Sequence, residues 1–466
     1  MPEPAINLFY LLASVLFIFG LKDLSHPRTA VRGNLLGSLG MLIAIVVTLA
    51  DRRIVSFDVI IAGLLIGGLA VAWMAYRVEM TAVPQVVAIF NGFGGGASAL
   101  AVGAALEEAL KGGFVEEISV QFTTAAAVSG IIGGLSLTGS AVAFGKLQGL
   151  ISEKPLLLPM RHAINIALAA ASLGFGVWLV VDPSGSSAFW WSTFIASVLG
   201  ILLVMPIGGA DMPVVIALLN SYSGIAAAGH GWVLNNSVLI IAGSLVGAAG
   251  FILTVLMSKA MNRSLPNVMF AGVGAEVATE SSTDDLYAGR VKSASPEEVA
   301  MLMEDARRVV ITPGYGMAVA HAQYVVGDLS NVLASRGIEV EFGIHPVAGR
   351  MPGHMNVLLA DADVPYDRLK DLEEINPTFR QTDIVLVIGA NDVVNPSARE
   401  ADPSLPIAGM PILDVDQARS IVVVKRSLSP GFAGIPNPLF AADNTLMFFG
   451  DGKQRVLDLV GAVKEN

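Results

Sequence analysis

The chain has 466 residues, of which 54% are hydrophobic and only 14% are charged, whereas a soluble domain usually carries about 25% charged residues. Much of the chain must therefore lie in a medium other than water. The net charge of −11 argues against a nucleic-acid partner, and the lack of cysteine excludes disulfides, thiolate metal sites and thiol nucleophiles.

Apolar runs alternate with short polar breaks over the first 261 residues. A helix needs roughly 20 apolar residues to cross the hydrocarbon core of a bilayer, and about nine segments meet that need. They cover residues 5–21, 34–50, 57–76, 85–106, 122–144, 163–181, 189–206, 213–228 and 238–257. Closely spaced small residues, such as Gly63, Gly67 and Gly68, predict that these helices pack against one another. The sequence thus predicts a membrane all-α bundle embedded in a lipid bilayer.

After the bundle, the composition becomes that of an ordinary α/β protein. We predict a transmembrane domain over residues 1–261, a linker over 262–295 and an α/β Rossmann-like parallel-sheet domain over 296–466.

Lysine and arginine are unevenly distributed between the two sets of alternate loops. One set holds Lys22, Arg28, Arg32, Arg77, Lys146, Lys154, Arg161, Lys259 and Arg263, and the other holds Arg52, Arg53 and Lys111. Because cytoplasmic loops carry the excess of positive charge, nine cations against three predict that the first set is cytoplasmic. With an odd number of spans, the N-terminus then lies outside and the sheet domain lies in the cytoplasm.

Three polar clusters fall within the predicted spans. They contain Asn91, which opens a glycine-rich run, Ser140, and Asn220, which opens Asn-Ser-Tyr-Ser. A polar group in a bilayer is costly, so each either forms an interhelical hydrogen bond or marks a pathway. Three clusters in one bundle favour a pathway for the set. Asp211, between two spans, either caps a helix or serves a cytoplasmic gate.

A strand over residues 307–312 is followed by a glycine turn and a predicted helix over 320–335. Glycines at 314 and 316 allow a tight turn and close approach of backbone N–H groups to a pyrophosphate. The third position of the motif is Val319, so an ordinary α/β turn is the alternative. Four further strands are predicted at 339–344, 384–388, 421–424 and 445–449.

Ligands of open parallel sheets bind at the carboxyl ends of the strands. An NAD site usually places an acid at the end of the second strand, but that strand is followed by His345. Lys425, Arg426 and Ser427 follow a later strand, and two cations with a hydroxyl suit a 2′-phosphate. The alternative is a solvated Lys-Arg pair. Together with the glycine turn and Arg350, these residues favour NADP(H).

Six segments, in chain order, resemble the β subunits of proton-translocating NAD(P) transhydrogenases. They are Gly208-Gly-Ala-Asp-Met-Pro, Leu219-Asn-Ser-Tyr-Ser-Gly, Gly314-Tyr-Gly-Met-Ala-Val, Ile344-His-Pro-Val-Ala-Gly-Arg-Met-Pro-Gly-His-Met, Gly389-Ala-Asn-Asp-Val-Val-Asn-Pro and Lys425-Arg-Ser. The resemblance covers essentially the whole chain. It implies hydride transfer between NAD(H) and NADP(H), coupled to inward proton movement across a bacterial cytoplasmic (inner) membrane. It also implies a dimer of protomers, in which a transhydrogenase α subunit carries NAD(H) and this chain carries NADP(H).

The resemblance assigns roles to residues at matching positions. The NADP(H) contacts that it implies are Gly314, Tyr315, Gly316 and Val319 in the turn, Val347, Ala348, Gly349, Arg350, Met351 and Pro352 over the dinucleotide, Gly389, Ala390, Asn391, Asp392 and Val393 near the nicotinamide, and Gly409, Met410, Lys425, Arg426, Ser427, Phe432 and Asp451. Asp392 is also implied in coupling, for which we expect the linker and the Asp211 loop to form the route.

Two positions depart from the family pattern. Many members have His where this chain has Asn91, although one branch shares the Asn, and Phe432 stands where Tyr is common. We therefore predict that the partner's helices supply the titrating group, while Asn91, Ser140 and Asn220 hold water. Since only one glycine turn joins a strand to a helix, the NAD(H) domain must come from another chain.

Two other classes of function stay open at this point. An NADP-sensing membrane channel or transporter without hydride-transfer activity would need a selectivity element or a substrate-facing charge in the spans, and the sequence offers neither. A purely structural membrane subunit would leave Lys425, Arg426 and the glycine turn without a role.

Overall fold

The computed structural model describes residues 3–24, 29–50, 57–111, 118–152, 155–270, 287, 289–351, 353–400, 407–431 and 433–465. The predicted cofactor contacts Pro352 and Phe432 lie outside the described residues. So do four of the loop cations, namely Arg28, Arg52, Arg53 and Lys154, and residues 271–286 and 288 of the predicted linker.

Within the described residues, nine helices are long and apolar enough to cross a membrane. They are α1 (Glu3–Leu24), α2 (Ala30–Leu49), α3 (Asp58–Arg77), α4 (Val83–Lys111), α5 (Val120–Leu147), α6 (Arg161–Val181), α7 (Ser187–Val204), α8 (Met212–Val233) and α9 (Ser237–Ala260). The prediction of nine spans is confirmed. Helices α2 and α8 are longer than their apolar segments, at 20 and 22 residues, because a helix in a bilayer satisfies its own backbone hydrogen bonds up to the interface.

Small residues bring several of these helices into backbone contact. A Cβ added at Gly133 of α5 would lie 2.5 Å from the carbonyl oxygen of Gly95 in α4, and one at Gly243 of α9 would lie 2.7 Å from that of Gly224 in α8. In lipid, where no hydrophobic effect drives association, such close approach supplies the packing energy.

The packing prediction for Gly63, Gly67 and Gly68 is wrong for the part of the chain that the structure describes. These glycines lie on α3, which has no buried residue there, and a Cβ added at any of them would meet nothing within 4 Å. The spacing of small residues identifies a helix that can pack closely, but it does not say whether the contacting helix lies in the same chain.

The position of Lys146 also differs from the prediction, which counted it as a loop cation. It lies in the last turn of α5, fully buried, and its ammonium donates to the carbonyl oxygens of Met205 and Ile207 at 2.6 and 2.7 Å. These carbonyls follow the C-terminus of α7, where helix carbonyls lack intrahelical partners and favour a cation. The remaining cations of the two sets, eight against three, still favour the same orientation.

The described part of the C-terminal region contains a six-stranded parallel sheet in the order β3-β2-β1-β4-β5-β6. Its strands are β1 (Arg308–Pro313), β2 (Glu339–Ile344), β3 (Leu369–Asp371), β4 (Ile384–Ile388), β5 (Ser420–Lys425) and β6 (Thr445–Phe449). This is the strand order of the dinucleotide-binding Rossmann fold, so the predicted fold class is confirmed. The prediction missed β3, because three residues with one apolar side chain give no hydrophobic run.

Both faces of the sheet are covered, and each has its own apolar core. The helices of this region are α10 (Leu265–Phe270), α11 (Pro296–Glu304), α12 (Tyr315–Val319), α13 (Gln323–Ser335), α14 (His354–Asp361), α15 (Leu372–Ile375) and α16 (Gly452–Glu465). The predicted single helix over 320–335 is wrong at its start. A one-turn α12 comes first, and His321, with a φ of 49°, separates it from α13.

The chain divides into two compact units. One comprises Met1–Ile207 and Val215–Thr254, and the other comprises Gly208–Val214 and Val255–Asn466. The connection that contains Asp211 therefore groups with the sheet-bearing unit.

Candidate functional site

A crevice opens at the carboxyl ends of β1 and β4. These two central strands are neighbours, but the chain leaves β1 toward β2 and leaves β4 toward β5. Such a reversal of strand order is where open parallel sheets bind their ligands.

Three glycines let the connections after β1 and β4 cross each other at this point. The N–H groups of Gly314 and Gly316 donate to the carbonyl oxygens of Ile388 and Gly389 at 2.8 and 2.9 Å. A Cβ at Gly314 would collide with the backbone of Ala390, and Gly389 has a φ of 64°. The sequence suggested that these N–H groups approach a pyrophosphate. In the structure they join the two connections and form the floor of the crevice.

The crevice contains a cavity of about 440 Å³. Its lining residues come from four connections and from the segment after α9, and they are Gly314, Tyr315, Gly316, Val347, Ala348, Gly349, Gly389, Ala390, Asn391, Asp392, Val393, Met410, Lys425, Arg426, Pro430, Gly431 and Met261. Fourteen of the predicted cofactor residues are thereby brought together. Met261 is a lining residue that the sequence gave no reason to select.

Six predicted cofactor residues do not line the cavity. They are Val319, Arg350, Met351, Gly409, Ser427 and Asp451. The guanidinium of Arg350 stacks on the ring of Tyr315 at 4.6 Å, so Arg350 stays beside the cavity. The Asp451 carboxylate instead accepts the N–H groups of Lys453 and Gln454 at the start of α16, which is the arrangement of a helix cap.

A second groove of about 570 Å³ lies at the amino ends of β4 and β5, opposite to the crevice. It is lined by the carboxylates Glu298, Asp305 and Asp383, with Arg419 as its cation. Three acids do not suit a ligand with several phosphates, so the smaller crevice is the better candidate for a dinucleotide.

Lys425 and Arg426 supply positive charge where β5 ends. The Lys425 ammonium donates to the carbonyl oxygen of Ser429 and lies 4.8 Å above the Phe440 ring. Burial lowers the pKa of Lys425 to about 8, an effect that the nearby Asp392 carboxylate opposes. The ammonium is therefore charged at neutral pH and close to its titration range.

The connection after β5 folds back onto the connection after β4. The Asn391 side-chain amide donates to the carbonyl oxygen of Ser429 at 3.2 Å, and the Asp392 carboxylate accepts the N–H of Ala433 at 3.0 Å. Gly431 packs directly against the Asp392 carboxylate. Two adjacent residues thus hold the loop that carries the two cations.

Two neutral histidines shape the loop after β2. Burial lowers the pKa of both His345 and His354 to about 4. The Nδ1 atoms of these rings accept the N–H groups of Val347 and Arg350 at 3.2 and 3.0 Å. This assigns the ring hydrogen to Nε2, which in His345 lies 2.7 Å from the carbonyl oxygen of Pro411. The sequence gave neither histidine this role, because the role depends on the folded geometry of the loop and, for His345, on a contact with Pro411 in another connection.

Helices α4, α5 and α8 bring Asn91 and Ser140 together. The Asn91 amide donates to the carbonyl oxygen of Ile216 at 3.2 Å, and Gly92 packs against the Ser140 side chain. The Ser136 hydroxyl contacts the carbonyl oxygens of Asn91 and Leu219, both at 3.3 Å.

The other predicted polar residue, Asn220, follows Leu219 on α8, and its carbonyl oxygen accepts the Ser223 hydroxyl at 2.9 Å. The Ser140 hydroxyl is fully buried and has no protein partner among the described residues.

Asp211 forms an ion pair with Arg263, and both residues belong to the sheet-bearing unit. One guanidinium nitrogen of Arg263 donates to both carboxylate oxygens, at 2.9 and 2.8 Å. Asp211 is only 7% exposed. Burial raises the pKa of its carboxyl group, and the charge of Arg263 opposes that shift.

The sequence also matches known proteins along nearly its whole length. The family profile described as NAD(P) transhydrogenase beta subunit matches residues 6–462. Two relatives, both named NAD(P) transhydrogenase subunit beta and both from Rhodospirillum rubrum, are each 47% identical over 456 residues. The alignment spans 97% of this chain and 98% of each relative. The chain therefore belongs to the family of NAD(P) transhydrogenase β subunits, and it is part of an enzyme with several membrane-spanning helices.

Proposed function

We propose that this chain is the NADP(H)-binding, membrane-spanning subunit of a transhydrogenase that transfers hydride between NAD(H) and NADP(H) with inward proton movement. The observation that carries the proposal is the pair Lys425 and Arg426 on the wall of a crevice at the Rossmann switch point. The name of the relatives, NAD(P) transhydrogenase subunit beta, supports the reaction class.

The donor set of the crevice fits the phosphorylated dinucleotide better than NAD(H). An NAD site offers an acid at the end of the second strand for the ribose 2′-hydroxyl. Here the residue after β2 is His345, which is neutral and contacts Pro411. The two cations after β5 would hold the 2′-phosphate, which brings about two negative charges. Bound NADP(H) supplies the nicotinamide that carries the hydride, and the chain binds and orients it.

The second nicotinamide must come from a partner. The described residues contain one glycine-lined crevice at one sheet, whereas hydride transfer needs two dinucleotides close together. We infer that a transhydrogenase α subunit brings the NAD(H) domain and that the protomers form a dimer. Helix α3, which has no buried residue, leaves room for further membrane helices beside this chain.

A proton gradient can supply enough free energy to drive the exchange. Both cofactors react through the same ring, so the uncoupled exchange lies near balance. One proton that crosses about 150–200 mV releases about 3.5–4.6 kcal/mol, at ~2.3 kcal/mol per 100 mV. That shifts the product ratio by roughly 300- to 2,000-fold, so one proton per hydride keeps NADPH strongly reduced.

We infer that the proton crosses near Asn91, Ser140 and Asn220, which would hold water, and that a partner helix supplies the titrating group. The contacts of Asn91 and Ser136 are to carbonyl groups, which do not titrate. The Asp211–Arg263 pair would then be part of the route that couples proton movement to the crevice. The positive-inside count supports a protein of the bacterial cytoplasmic membrane with the sheet domain in the cytoplasm.

Sealed vesicles that contain this chain and its α subunit test the proposal. NADH should reduce an NADP analogue, an imposed proton gradient should accelerate that reduction, and an uncoupler should abolish the acceleration. NADPH should also bind the complex far more tightly than NADH at the crevice. No hydride transfer with the partner present, or no preference for the phosphorylated dinucleotide, would refute the proposal. Gradient-independent ion flux without the partner would instead support an NADP-sensing channel.

A further inference from the structure

The end of the linker is inserted into the sheet domain through one tyrosine. Tyr287 is 8% exposed and lies in the apolar core on one face of the sheet. A few residues later, the backbone of Lys292 and Ala294 hydrogen bonds to Met447, so the chain runs along the edge of β6. The linker is thus held to the sheet domain at Tyr287 and again beside β6.

Both hydrogen bonds of the Tyr287 hydroxyl go to one residue. The hydroxyl accepts the N–H of Asn437 at 2.9 Å and donates to its carbonyl oxygen at 3.2 Å. Asn437 is fully buried. Tyr287 therefore fixes the backbone of Asn437 from both sides of the residue.

The Asn437 side chain contacts Asn391, which lines the crevice. Its amide nitrogen lies 3.1 and 3.2 Å from the backbone and side-chain oxygens of Asn391, and its own oxygen accepts the N–H of Leu439 at 3.0 Å. Asn391 lines the cavity and holds the loop after β5 through Ser429. Two hydrogen-bonding steps thus join the linker to the cavity wall.

A second contact leads from Tyr287 to the cations. The Tyr287 ring stacks on Phe440, with centroids 6.5 Å apart and planes 24° from parallel. The Lys425 ammonium also lies over the Phe440 ring, 4.8 Å from its centroid. Tyr287 is therefore connected to the Asn391 loop through Asn437 and to the proposed 2′-phosphate site through Phe440.

A tyrosine that only filled the core would need no hydroxyl, since Phe fills nearly the same volume. Both hydrogen bonds of the Tyr287 hydroxyl instead go to Asn437, whose side chain donates to Asn391. The polar contacts of Tyr287 therefore indicate that it sets the geometry of a loop, in addition to contributing apolar area to the core.

We propose that Tyr287 is a positioning residue through which the linker sets the geometry of the NADP(H) crevice, by way of Asn437 and Asn391. The inference rests on the proposed function of the crevice. A movement of the linker that displaces Tyr287 would weaken or strengthen the hydrogen bonds from Asn437 to Asn391. The rate of NADP(H) release would change as a result.

The test uses the full chain with its α subunit in sealed vesicles. Release of NADP(H) is measured with an imposed proton gradient and again after an uncoupler. Tyr287→Phe keeps the ring and removes only the hydroxyl. We expect uncoupled release to become about 5- to 150-fold faster, which corresponds to the two hydrogen bonds that the hydroxyl makes, and the ratio of the two release rates to fall toward one. A purely structural role would change both rates equally and leave the ratio intact.

Two further variants make the result specific. Tyr366→Phe removes a hydroxyl from a tyrosine that is 40% exposed in the same domain, and it should behave as wild type. Asn437→Asp removes the amide donor to Asn391 but keeps the backbone contacts of Tyr287. Its effect should not add to that of Tyr287→Phe, because both act through the same contact.

An unchanged gradient ratio in Tyr287→Phe, or additive effects of the two changes, would overturn the inference. A wild-type complex without preference for NADPH over NADH would instead overturn the function on which it rests.

Discussion

In the membrane bundle, several buried side-chain hydrogen bonds run from a hydroxyl or amide to a backbone carbonyl of another helix, as with Ser129 and Ala226 or Asn91 and Ile216. Around the crevice of the sheet domain they join loops, and side chains both donate to and accept from the backbone. Helix carbonyls already accept an intrahelical N–H group, so these additional bonds are a consequence of close helix packing. Loop N–H and carbonyl groups have no such partner, so their bonds decide which loop arrangement is stable.

This comparison implies different responses to mutation. Changes in the crevice should act on nucleotide affinity through loop geometry or charge. Changes in the bundle should act on proton movement and leave affinity unaltered.

The largest effect is expected for the crossing of the two glycine connections. Gly389→Ala should lower the free energy of unfolding by roughly 2–5 kcal/mol, because a positive φ costs about 1–2 kcal/mol and displaced backbone about 1–3 kcal/mol. NADPH binding should be lost. Gly337→Ala is the matched control, since Gly337 has a φ of 84° but no atom near the added Cβ, and only the smaller cost applies. Thermal unfolding measures the loss of stability, and NADPH titration measures the loss of binding. Equal effects of the two substitutions would contradict a close crossing of the connections after β1 and β4.

The second largest effect is expected for removal of positive charge at the end of β5. Lys425→Ala should weaken NADPH binding by about 10- to 150-fold, the range for one hydrogen bond to a charged group, and should leave NADH binding unchanged. Lys453→Ala removes an exposed cation of the same domain and serves as the control. Equilibrium titration with both dinucleotides measures these affinities. An equal loss of affinity for NADPH and NADH would rule out a contact with the 2′-phosphate.

Breaking the Asp211–Arg263 ion pair should weaken the coupling between proton movement and hydride transfer without changing nucleotide affinity. Asp211→Asn should reduce gradient-driven hydride transfer at least about 10-fold, because the half-buried Arg263 loses its counter-charge, while NADPH affinity stays within about twofold. Arg263→Gln should do the same. Vesicle assays with and without an uncoupler provide the measurement. Normal coupling in Asp211→Asn would remove this pair from the route.

The pH dependence of binding follows from the pKa of Lys425. A phosphate favours the protonated ammonium, and burial lowers the pKa of that group to about 8. NADPH affinity should therefore be highest below pH 8 and should fall as the pH rises through that value. Lys425→Arg should remove the fall, since arginine stays charged. Titrations between about pH 6.5 and 9.5 test this, and a fall that persists in Lys425→Arg would point to another group.

The smallest effect is expected in the bundle. Ser140→Ala removes a buried hydroxyl without a protein partner among the described residues, so stability should change by no more than about 0.5 kcal/mol. Coupled proton movement should fall about two- to fivefold if Ser140 holds water on the path. Ser129→Ala is the matched control, because that hydroxyl donates to Ala226 at 2.8 Å. The control should lose about 1 kcal/mol of stability and keep its proton movement.

Hydrophobic periodicity was sufficient to predict nine spans and five of six strands, because apolar run length and burial are local properties of the chain. It failed for β3, which is three residues long, and for the break at His321, where a left-handed residue interrupts an alanine-rich segment. The helix propensity of alanine predicted continuity there, and tertiary packing overrode it.

The sequence by itself determined that this protein crosses the membrane many times, that it carries a parallel-sheet domain, and that a glycine turn and two cations follow strands of that sheet. The tertiary structure alone decided that Gly314 and Gly316 bond to a neighbouring connection, that Lys146 is buried, and that Tyr287 lies beneath Asn437 and Phe440. These contacts join residues far apart in the chain, and their distances depend on how helices and loops pack, which no local pattern records.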